Sequence, residues 1–171
     1  MRLPPLPSLA SVAVLVIVVV ALLSGGGGDD PADGDGPAGP VRAPVVRGVD
    51  GDTIVVRLDG AEEDVRFIGV DTPESVKPDT PVQCYALAAS HFTDRAVEGQ
   101  TVRLVFDAEH RDVYGRLLAY VYVGDRFLNA ELVRRGYART LTIPPNDRYA
   151  PLFARLAREA AAAGRGLWGR C

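Results

Sequence analysis

The chain of 171 residues is long enough for one domain of ordinary size and a terminal extension. Of its 22 acids and 19 bases, four acids (Asp29, Asp30, Asp33 and Asp35) and one base (Arg2) precede residue 41, leaving 18 of each in the remainder. This balance excludes the strongly basic surface typical of nucleic-acid-binding domains, so any affinity for a polyanion must come from a local cluster of bases.

The first 24 residues are predicted to direct export. An apolar run from Leu9 to Leu23 follows a short segment that carries the positive charges of Arg2 and the amino terminus. This length suits a signal peptide, and the longer stretch of residues 6–24 is also sufficient for a short membrane anchor. Because positive charge precedes the run and acids follow it, the rest of the chain is expected outside the cytoplasm, secreted or tethered to the cell membrane by residues 6–24.

Residues 25–44 form the next segment, in which Gly, Pro and Asp dominate. Such a composition cannot bury enough apolar surface to fold, so a disordered linker is predicted. Residues 45–171 have the composition of a globular domain and are numerous enough for a hydrophobic core. We therefore expect an export segment (1–24), a linker (25–44) and one folded domain (45–171).

Three consecutive strands are predicted at the start of this domain. Val45–Val49 and Thr53–Leu58 are rich in β-branched residues, and residues 64–70 alternate between apolar and polar side chains. The segments are separated by Asp50–Asp52 and by Asp59-Gly60, both of which are typical of tight turns. The pattern therefore predicts a three-stranded meander.

The rest of the domain is predicted to contain three helices and two strands. The helical spacing of Leu87, His91 and Arg95 predicts a helix over residues 82–98. The elements predicted downstream are the strands Thr101–Phe106 and Leu117–Val123 and the helices Phe127–Tyr137 and Tyr149–Ala163. Short strands in this order fit a small barrel of the oligonucleotide/oligosaccharide-binding (OB) type. The predicted fold class is α+β: a five-stranded OB-fold β-barrel with three helices.

Two acids stand at the ends of strands that neighbour each other in the predicted meander. Asp52 precedes the second strand and Asp71 follows the third, so their carboxylates are expected to lie close together. Ca²⁺ prefers hard oxygen ligands, and here the backbone carbonyl of Thr72 would add a neutral one and Asp50 another, directly or through water. Because neither His nor Cys belongs to this set, zinc and copper are disfavoured. The sequence therefore predicts a Ca²⁺ site assembled from separate segments.

A further carboxylate and two arginines accompany this predicted metal site. Glu74 follows Pro73 just beyond the predicted ligands, where it would orient or deprotonate a water molecule. Arg66 lies on the third strand, and Arg116 follows Gly115 in the loop before the fifth. Two guanidinium groups can hold a phosphate and neutralise the charge that develops on it during substitution at phosphorus. These groups together indicate metal-assisted hydrolysis of a phosphodiester.

Each of these motifs also has an ordinary structural interpretation. Residues 50–53 are compatible with a simple hairpin turn, and residues 71–74 with a helix cap or a loop. Arg66 and Arg116 are compatible with surface ion pairs. The occurrence of all of them in one domain favours a functional site over a set of unrelated turns.

Three longer segments resemble the staphylococcal nuclease family in their order and approximate spacing. They are Val49–Thr53 (VDGDT), Arg66–Glu74 (RFIGVDTPE) and Asp112–Arg116 (DVYGR), and the similarity continues to Gly166–Trp168. The resemblance covers residues 45–169, essentially the whole predicted domain. It implies a five-stranded barrel with three helices, and Ca²⁺-dependent cleavage of DNA and RNA with little sequence preference, leaving 3′-phosphate ends.

The resemblance also implies roles for individual residues. It implies that the catalytic residues are Arg66, Glu74 and Arg116 and that the calcium ligands are Asp52, Asp71 and the carbonyl of Thr72. It also implies that Tyr114 contacts the substrate phosphate. Two departures from the family concern affinity: Val113 stands where the family often has lysine, and residues 140–144 lack the tyrosines that some members place near the nucleobase. We therefore expect a weaker hold on phosphate and base, with the catalytic roles unchanged.

The only cysteines of the chain are Cys84 and Cys171. In an exported protein an even number of cysteines predicts a disulfide, with two free thiols as the alternative. A bond between them would tie the start of the first helix to the carboxyl terminus. In the chain-entropy treatment, closing so long a loop contributes about 4 kcal/mol to the free energy of unfolding.

Three functions are compatible with this sequence. The first is an exported, Ca²⁺-dependent nuclease that acts on DNA and RNA as a monomer and contacts a membrane only if its amino-terminal segment stays uncleaved. The second is a non-catalytic OB-fold module that binds single-stranded nucleic acid. The third is a surface interaction protein in which the acidic loop is incidental. The presence of every acid and arginine of the motifs favours the nuclease.

Overall fold

The fold is known from a computed structural model, in which residues 39–76, 79 and 81–171 are described. The predicted export segment (1–24) and the predicted linker as far as residue 38 lie outside the described residues. Within the described part of the chain, no helix is both long and apolar enough to cross a membrane.

The described residues contain eight strands and four helices. The strands are β1 (Val41–Gly48), β2 (Thr53–Leu58), β3 (Ala61–Phe67), β4 (Gly69–Asp71), β5 (Thr101–Val105), β6 (Leu117–Val123), β7 (Arg126–Phe127) and β8 (Arg139–Leu141). The helices are α1 (Ala86–Val97), α2 (Leu128–Arg134), α3 (Ala150–Ala162) and the short α4 (Leu167–Arg170). The predicted barrel strands and the three longer helices are all present, whereas the short strands and α4 were not predicted.

The main sheet closes on itself to form a barrel. Its strands run in the order β3–β2–β1–β5–β6–β7, and a parallel pairing of β3 with β6, from Val65↔Leu117 to Phe67↔Ala119, closes the first five into the barrel. The two-stranded sheet of β4 and β8 lies apart from it. The prediction of an α+β fold built on a five-stranded OB barrel is therefore confirmed.

The hydrophobic core gives the barrel a rigid interior. Strands β2 and β3 contribute four side chains that are at most 1% exposed: Ile54, Val56, Val65 and Phe67. Tyr120 is also completely buried, and its hydroxyl donates a hydrogen bond to Oδ2 of Asp107 (2.8 Å). Burying one such side chain contributes about 1.5–3 kcal/mol relative to exposure, so the strand ends provide a firm frame for a site.

The first strand begins earlier than predicted, because it starts at Val41 rather than Val45. Residues Val41–Pro44 pair with β5, and Ala43 is completely buried. Pro44 lacks the backbone N–H that a strand paired on both sides needs. A proline is tolerated here because this half of β1 is paired on one side only, with β5. The predicted linker boundary at residue 44 is therefore four residues too late.

The predicted strand over residues 64–70 is broken at Gly69. Gly69 has a φ of +79°, and a Cβ at this position would lie 2.5 Å from the ring of Phe153. The Nδ2 atom of the buried Asn129 donates to the carbonyl of Ile68 (2.8 Å), which holds the bend in place. Strand β4 then turns away to pair with β8, and it carries Asp71 to the edge of the barrel.

Helix α1 contacts the barrel through a face that does not include the residues whose spacing predicted the helix. Leu87, His91 and Arg95 are exposed, and the buried side chains are Ala86, Ala89, Phe92, Thr93, Ala96 and Val97. The small alanines allow a close approach, since a Cβ on Gly51 would lie 2.9 Å from Cβ of Ala89. The hydroxyl of Thr93 donates to the Gly51 carbonyl (2.6 Å). Helix α1 therefore fixes the turn that precedes Asp52.

Candidate active site

Asp52 is the most buried acid of the site, with only 4% of its surface exposed. Its Oδ2 atom accepts hydrogen bonds from the backbone N–H (2.7 Å) and the hydroxyl (3.0 Å) of Thr72. Its Oδ1 atom accepts a bond from the hydroxyl of Thr53 (3.3 Å). Asp52 therefore joins the turn before β2 to the chain that leaves β4.

Burial raises the pKa of Asp52 to about 6, because the charged form has lost much of its hydration. The guanidinium of Arg66 and the hydrogen bonds from Thr72 act in the opposite direction, whereas the nearby Asp50 raises the pKa further. A cation placed beside this carboxylate would offset the cost of burying its charge.

Arg66 lies between the two acids predicted to bind metal. Its side chain is 14% exposed, and its two Nη atoms lie 2.7 Å from Oδ1 of Asp52 and 3.2 Å from Oδ1 of Asp71. The same guanidinium donates to the carbonyl of Val70 (3.0 Å). Carboxylates that are 19 positions apart in the sequence therefore converge on one cationic group, as the predicted meander required.

The donor chemistry of this corner fits a hard divalent cation. Asp52 and Asp71 offer carboxylate oxygens within reach of one positive group, and Thr72, whose backbone carbonyl is the third predicted ligand, is hydrogen-bonded to Asp52 through its N–H. The described residues contain no cluster of three or more His, Cys, Asp or Glu side chains, so a cation here would need backbone oxygen and water as well. Asp50 accepts a bond from the backbone N–H of Asp52 (3.0 Å), which shapes the turn; its role toward metal stays a prediction.

Arg116 is held by a compact turn over residues 112–116, which we call the phosphate loop. Oδ1 of Asp112 accepts bonds from the backbone N–H groups of Tyr114 and Arg116 (3.0 Å each). Oδ2 of Asp112 accepts from Nε of Arg116 (2.7 Å) and lies 2.6 Å from its Nη2. Gly115 supplies the positive φ of +84° that the turn needs. The backbone and side chain of Arg116 are thus fixed by one carboxylate.

Both catalytic arginines predicted from the sequence line one groove of about 490 Å³. The groove, which we call the arginine groove, is also lined by exposed apolar side chains, among them Val113, Leu141 and Ile143. Tyr114 is 82% exposed at its edge, and the guanidinium of Arg116 lies 5.4 Å from the centre of its ring. The structure therefore brings Arg66, Arg116 and Tyr114 together, with aliphatic side chains beside them.

Glu74 lies two residues beyond Thr72 and does not line the arginine groove. Its backbone N–H donates to Oε1 of Gln83 (3.0 Å), its carbonyl accepts from the N–H of Gln83 (2.9 Å), and its Oε1 accepts from the N–H of Val76 (2.8 Å). The sequence predicted Glu74 to lie just beyond the candidate metal ligands Asp71 and Thr72. Its approach to a substrate phosphate stays a prediction.

Three supporting residues were not assigned roles from the sequence. Asp112 belongs to a recognised motif, but its hold on Arg116 was not anticipated. Glu63 of β3 pairs through both oxygens with Arg111 (2.8 and 3.0 Å), and Arg111 also donates to the Gly115 carbonyl (2.6 Å). This pair lowers the pKa of Glu63. Glu63 and Arg111 are 48 positions apart and meet only because β3 pairs with β6, so no local sequence signal indicates this ion pair.

The two cysteines are joined in the predicted disulfide. The Cα atoms of Cys84 and Cys171 lie 5.9 Å apart, and the bond links the residues just before α1 to the last residue of the chain. The alternative of two free thiols does not hold in this structure, where no free cysteine remains.

The fold and the site define a class: an OB barrel with paired acids and paired arginines at its edge. Residues 64–170 match the family described as staphylococcal nuclease homologue. The thermonuclease of Staphylococcus intermedius is 50% identical over 126 residues, which cover 74% of this chain and 75% of that protein. The thermonuclease of Staphylococcus hyicus is 44% identical over 124 residues, which cover 72% and 73%. The endonuclease YncB of Bacillus subtilis is 39% identical over 126 residues, which cover 72% and 60%. The chain belongs to the staphylococcal nuclease family.

Proposed function

We propose that this protein is an exported nuclease that uses Ca²⁺ to hydrolyse DNA and RNA with low sequence specificity and leaves 3′-phosphate ends. The membership of the family, together with relatives named thermonuclease and endonuclease, makes the chain a nuclease, that is, a phosphodiesterase. Several observations support the finer statements. The all-oxygen donor set favours Ca²⁺, the family resemblance implies the products, and the apolar run at residues 9–23 supports export.

The observation that carries the proposal is the placement of Arg66 and Arg116 on one groove beside two converging carboxylates. Guanidinium groups donate paired hydrogen bonds to phosphate oxygens. A groove of this size accommodates a nucleotide, and its open form admits a chain that continues on both sides. The arrangement therefore suits a phosphodiester within a polymer.

The proposed reaction is attack of water on phosphorus. The new bond joins the water oxygen to phosphorus, the bond to the 5′ oxygen breaks, and this oxygen takes a proton from solvent, so the products are a 3′-phosphate and a 5′-hydroxyl. Arg66 and Arg116 donate hydrogen bonds to the phosphoryl oxygens as negative charge develops on them. Glu74 orients the attacking water and accepts its proton. Asp52, Asp71 and the Thr72 carbonyl would hold a Ca²⁺ ion, which supplies further polarisation of the phosphate when bound.

A plasmid assay tests this function directly. Supercoiled plasmid and single-stranded RNA are incubated with the oxidised protein in Ca²⁺, in Mg²⁺ or in a chelator. We expect degradation in Ca²⁺ but not in Mg²⁺ or in the chelator. We also expect polynucleotide kinase to label the fragments at the 5′ end without prior phosphatase treatment. Binding without cleavage would identify the non-catalytic OB module, and neither binding nor cleavage would point to the surface interaction protein. Either result would overturn the proposal.

A further inference from the structure

The segment that carries Glu74 is fastened to the carboxyl terminus of the chain. Both backbone groups of Glu74 are hydrogen-bonded to Gln83, through Oε1 and through the backbone N–H (3.0 and 2.9 Å). The next residue, Cys84, is covalently joined to Cys171. Two hydrogen bonds and one disulfide thus connect Glu74 with the last residue.

The same groups share a cavity with the candidate metal ligands. This cavity of about 200 Å³ is lined by Asp71, Thr72, Pro73, Gln83, Cys84, Arg139, Leu167 and Cys171. Thr72 is fixed from the barrel side by Asp52, but beyond Thr72 the chain leaves the sheet. Gln83, next to the disulfide, therefore supports the backbone of Glu74.

We propose that Gln83 and the Cys84–Cys171 disulfide are positioning residues for catalysis, which hold the Glu74 segment beside the metal ligands. This inference rests on the catalytic role proposed for Glu74. A displacement of about 1 Å in a catalytic group can lower turnover by about a hundredfold. Loss of the disulfide is therefore expected to lower kcat much more than it changes KM, because the arginine groove and the phosphate loop are built on other elements.

The disulfide is also placed where a reductant can reach it, since both Cys84 and Cys171 are exposed. A small dithiol would attack one sulfur, release the other as a thiolate and then close to its own cyclic disulfide. The dithiol loses two electrons and the protein gains two thiols. The enzyme would thus have low activity under reducing conditions and full activity after oxidation, without unfolding.

The kinetic test compares three oxidised proteins, one reduced protein and one variant without cysteines. They are the wild type with and without dithiothreitol, the double variant Cys84→Ala, Cys171→Ala, the variant Gln83→Ala and the variant Gln83→Glu. We expect the reduced wild type and the double variant to lose kcat by about tenfold to a hundredfold, with KM changed less than about threefold. Gln83→Ala should show a smaller loss, and Gln83→Glu, which keeps the oxygen acceptor, should restore most of it.

Two controls separate positioning from stability. Val102→Ala weakens the core in β5, which pairs with β1 and β6, and all assays are run well below the lowest Tm of the set. The double variant should not respond to dithiothreitol. If the double variant keeps wild-type kcat while its Tm falls as in Val102→Ala, the disulfide is only structural and the inference is wrong.

A readout that does not depend on activity distinguishes failure of this inference from failure of the proposed function. Backbone amide signals are recorded by NMR for the oxidised and reduced wild type. Reduction should shift or broaden the amides of Thr72, Glu74, Val76 and Gln83 and leave those of β5 and β6 unchanged. Unchanged amides at Glu74 and Val76 would refute the positioning role even if the protein cleaves nucleic acid. Absence of all cleavage together with the expected NMR changes would instead refute the proposed nuclease function, whereas the hold of the disulfide on the Glu74 segment would stand.

Discussion

The guanidinium of Arg66 can pair either with the nearby carboxylates or with a phosphate in the arginine groove. In this structure its guanidinium lies against the carboxylates of Asp52 and Asp71, yet the same side chain lines the arginine groove. The ion pairs keep the long side chain in one orientation, which reduces the entropy lost when a phosphate binds. Arg116 is restrained in the same way by Asp112. Each of the two arginines predicted to be catalytic is therefore preorganised by an acid that need not itself touch the substrate.

Substitution of either arginine should abolish most of the turnover. Arg66→Ala and Arg116→Ala are each expected to lower kcat by well over tenfold, because one donor to the charge that develops on phosphate is lost. Initial rates on plasmid at saturating Ca²⁺ and far-ultraviolet circular dichroism measure the activity and the fold. Arg155→Ala is the matched control, since Arg155 is exposed on α3 and pairs with Glu159 on the same helix. Near-wild-type turnover in either groove variant would contradict the assigned roles.

Asp52 should control the metal requirement. Asp52→Asn keeps the size of the side chain and one oxygen for Thr72, but it removes the charge that a cation would neutralise. We expect the Ca²⁺ concentration for half-maximal activity to rise by at least about tenfold, the fold-change that the loss of about 1.4 kcal/mol produces. Asp59→Asn, in the exposed hairpin turn after β2, is the control. An unchanged Ca²⁺ titration for Asp52→Asn would remove Asp52 from the ligand set.

At the scale of elements, the sequence predicted the barrel strands well and their ends less well. Strand-like composition and the flanking turn signals located β2, β5 and β6 to within a residue or two. The bend at Gly69 was missed because it depends on contact with Phe153, which lies on a distant helix. The contact face of α1 was not predicted, because small alanines, rather than Leu87, fill the contact with the barrel.

The candidate site was predictable to the extent that its residues lie in local motifs. Asp52, Asp71, Arg66 and Arg116 stand at strand ends or turns, where short sequence patterns are informative. The ion pair of Glu63 with Arg111 depends on the parallel pairing of β3 with β6, which no local pattern specifies. Gln83 was missed for a similar reason, since its partner lies across a loop.

The pair of Glu63 and Arg111 should make stability depend on pH. The pKa of Glu63 is lowered from its usual 4.5, so the folded state resists protonation and the stabilisation is present above that value. It is lost as the pH falls through the lower, folded-state pKa. We expect Glu63→Gln to reduce the free energy of unfolding by about 1 kcal/mol at pH 7 and by little or nothing well below pH 4.

Urea denaturation of wild type and variant between pH 3 and pH 7 measures this difference. Glu62→Gln is the matched control, because Glu62 lies on the same strand but its pair with Arg57 is about half exposed. A constant difference for Glu63→Gln across the pH range would show that the charge of Glu63 is unimportant. An equal effect of Glu62→Gln would show that the doubly bonded geometry adds nothing to the ion pair.

At the scale of the whole molecule, the acids and bases of the domain are balanced in number, and the bases proposed to hold the substrate lie in one groove. The residues from Val41 onward carry equal numbers of acids and bases, so the domain has little long-range attraction for a polyanion. Substrate must be held mainly by the groups that line the arginine groove. The exposed Val113 at the edge of this groove adds no further charge. Capture of nucleic acid is therefore expected to be weak and short in range.

This balance predicts a shallow dependence of binding on salt. If Arg66 and Arg116 make the main phosphate contacts, the logarithm of the binding constant for single strands should fall with the logarithm of salt concentration with a slope of about −1.4. The variant Glu74→Gln keeps both arginines but should not cleave, so it is used for the titration. A fluorescent 12-nucleotide strand is bound at fixed Ca²⁺, and its anisotropy is read at salt concentrations between about 50 and 400 mM. Arg116→Ala in the same background should reduce the slope by about half. A slope steeper than about −4 would mean that six or more phosphates are contacted, and the local description of the binding surface would then be wrong.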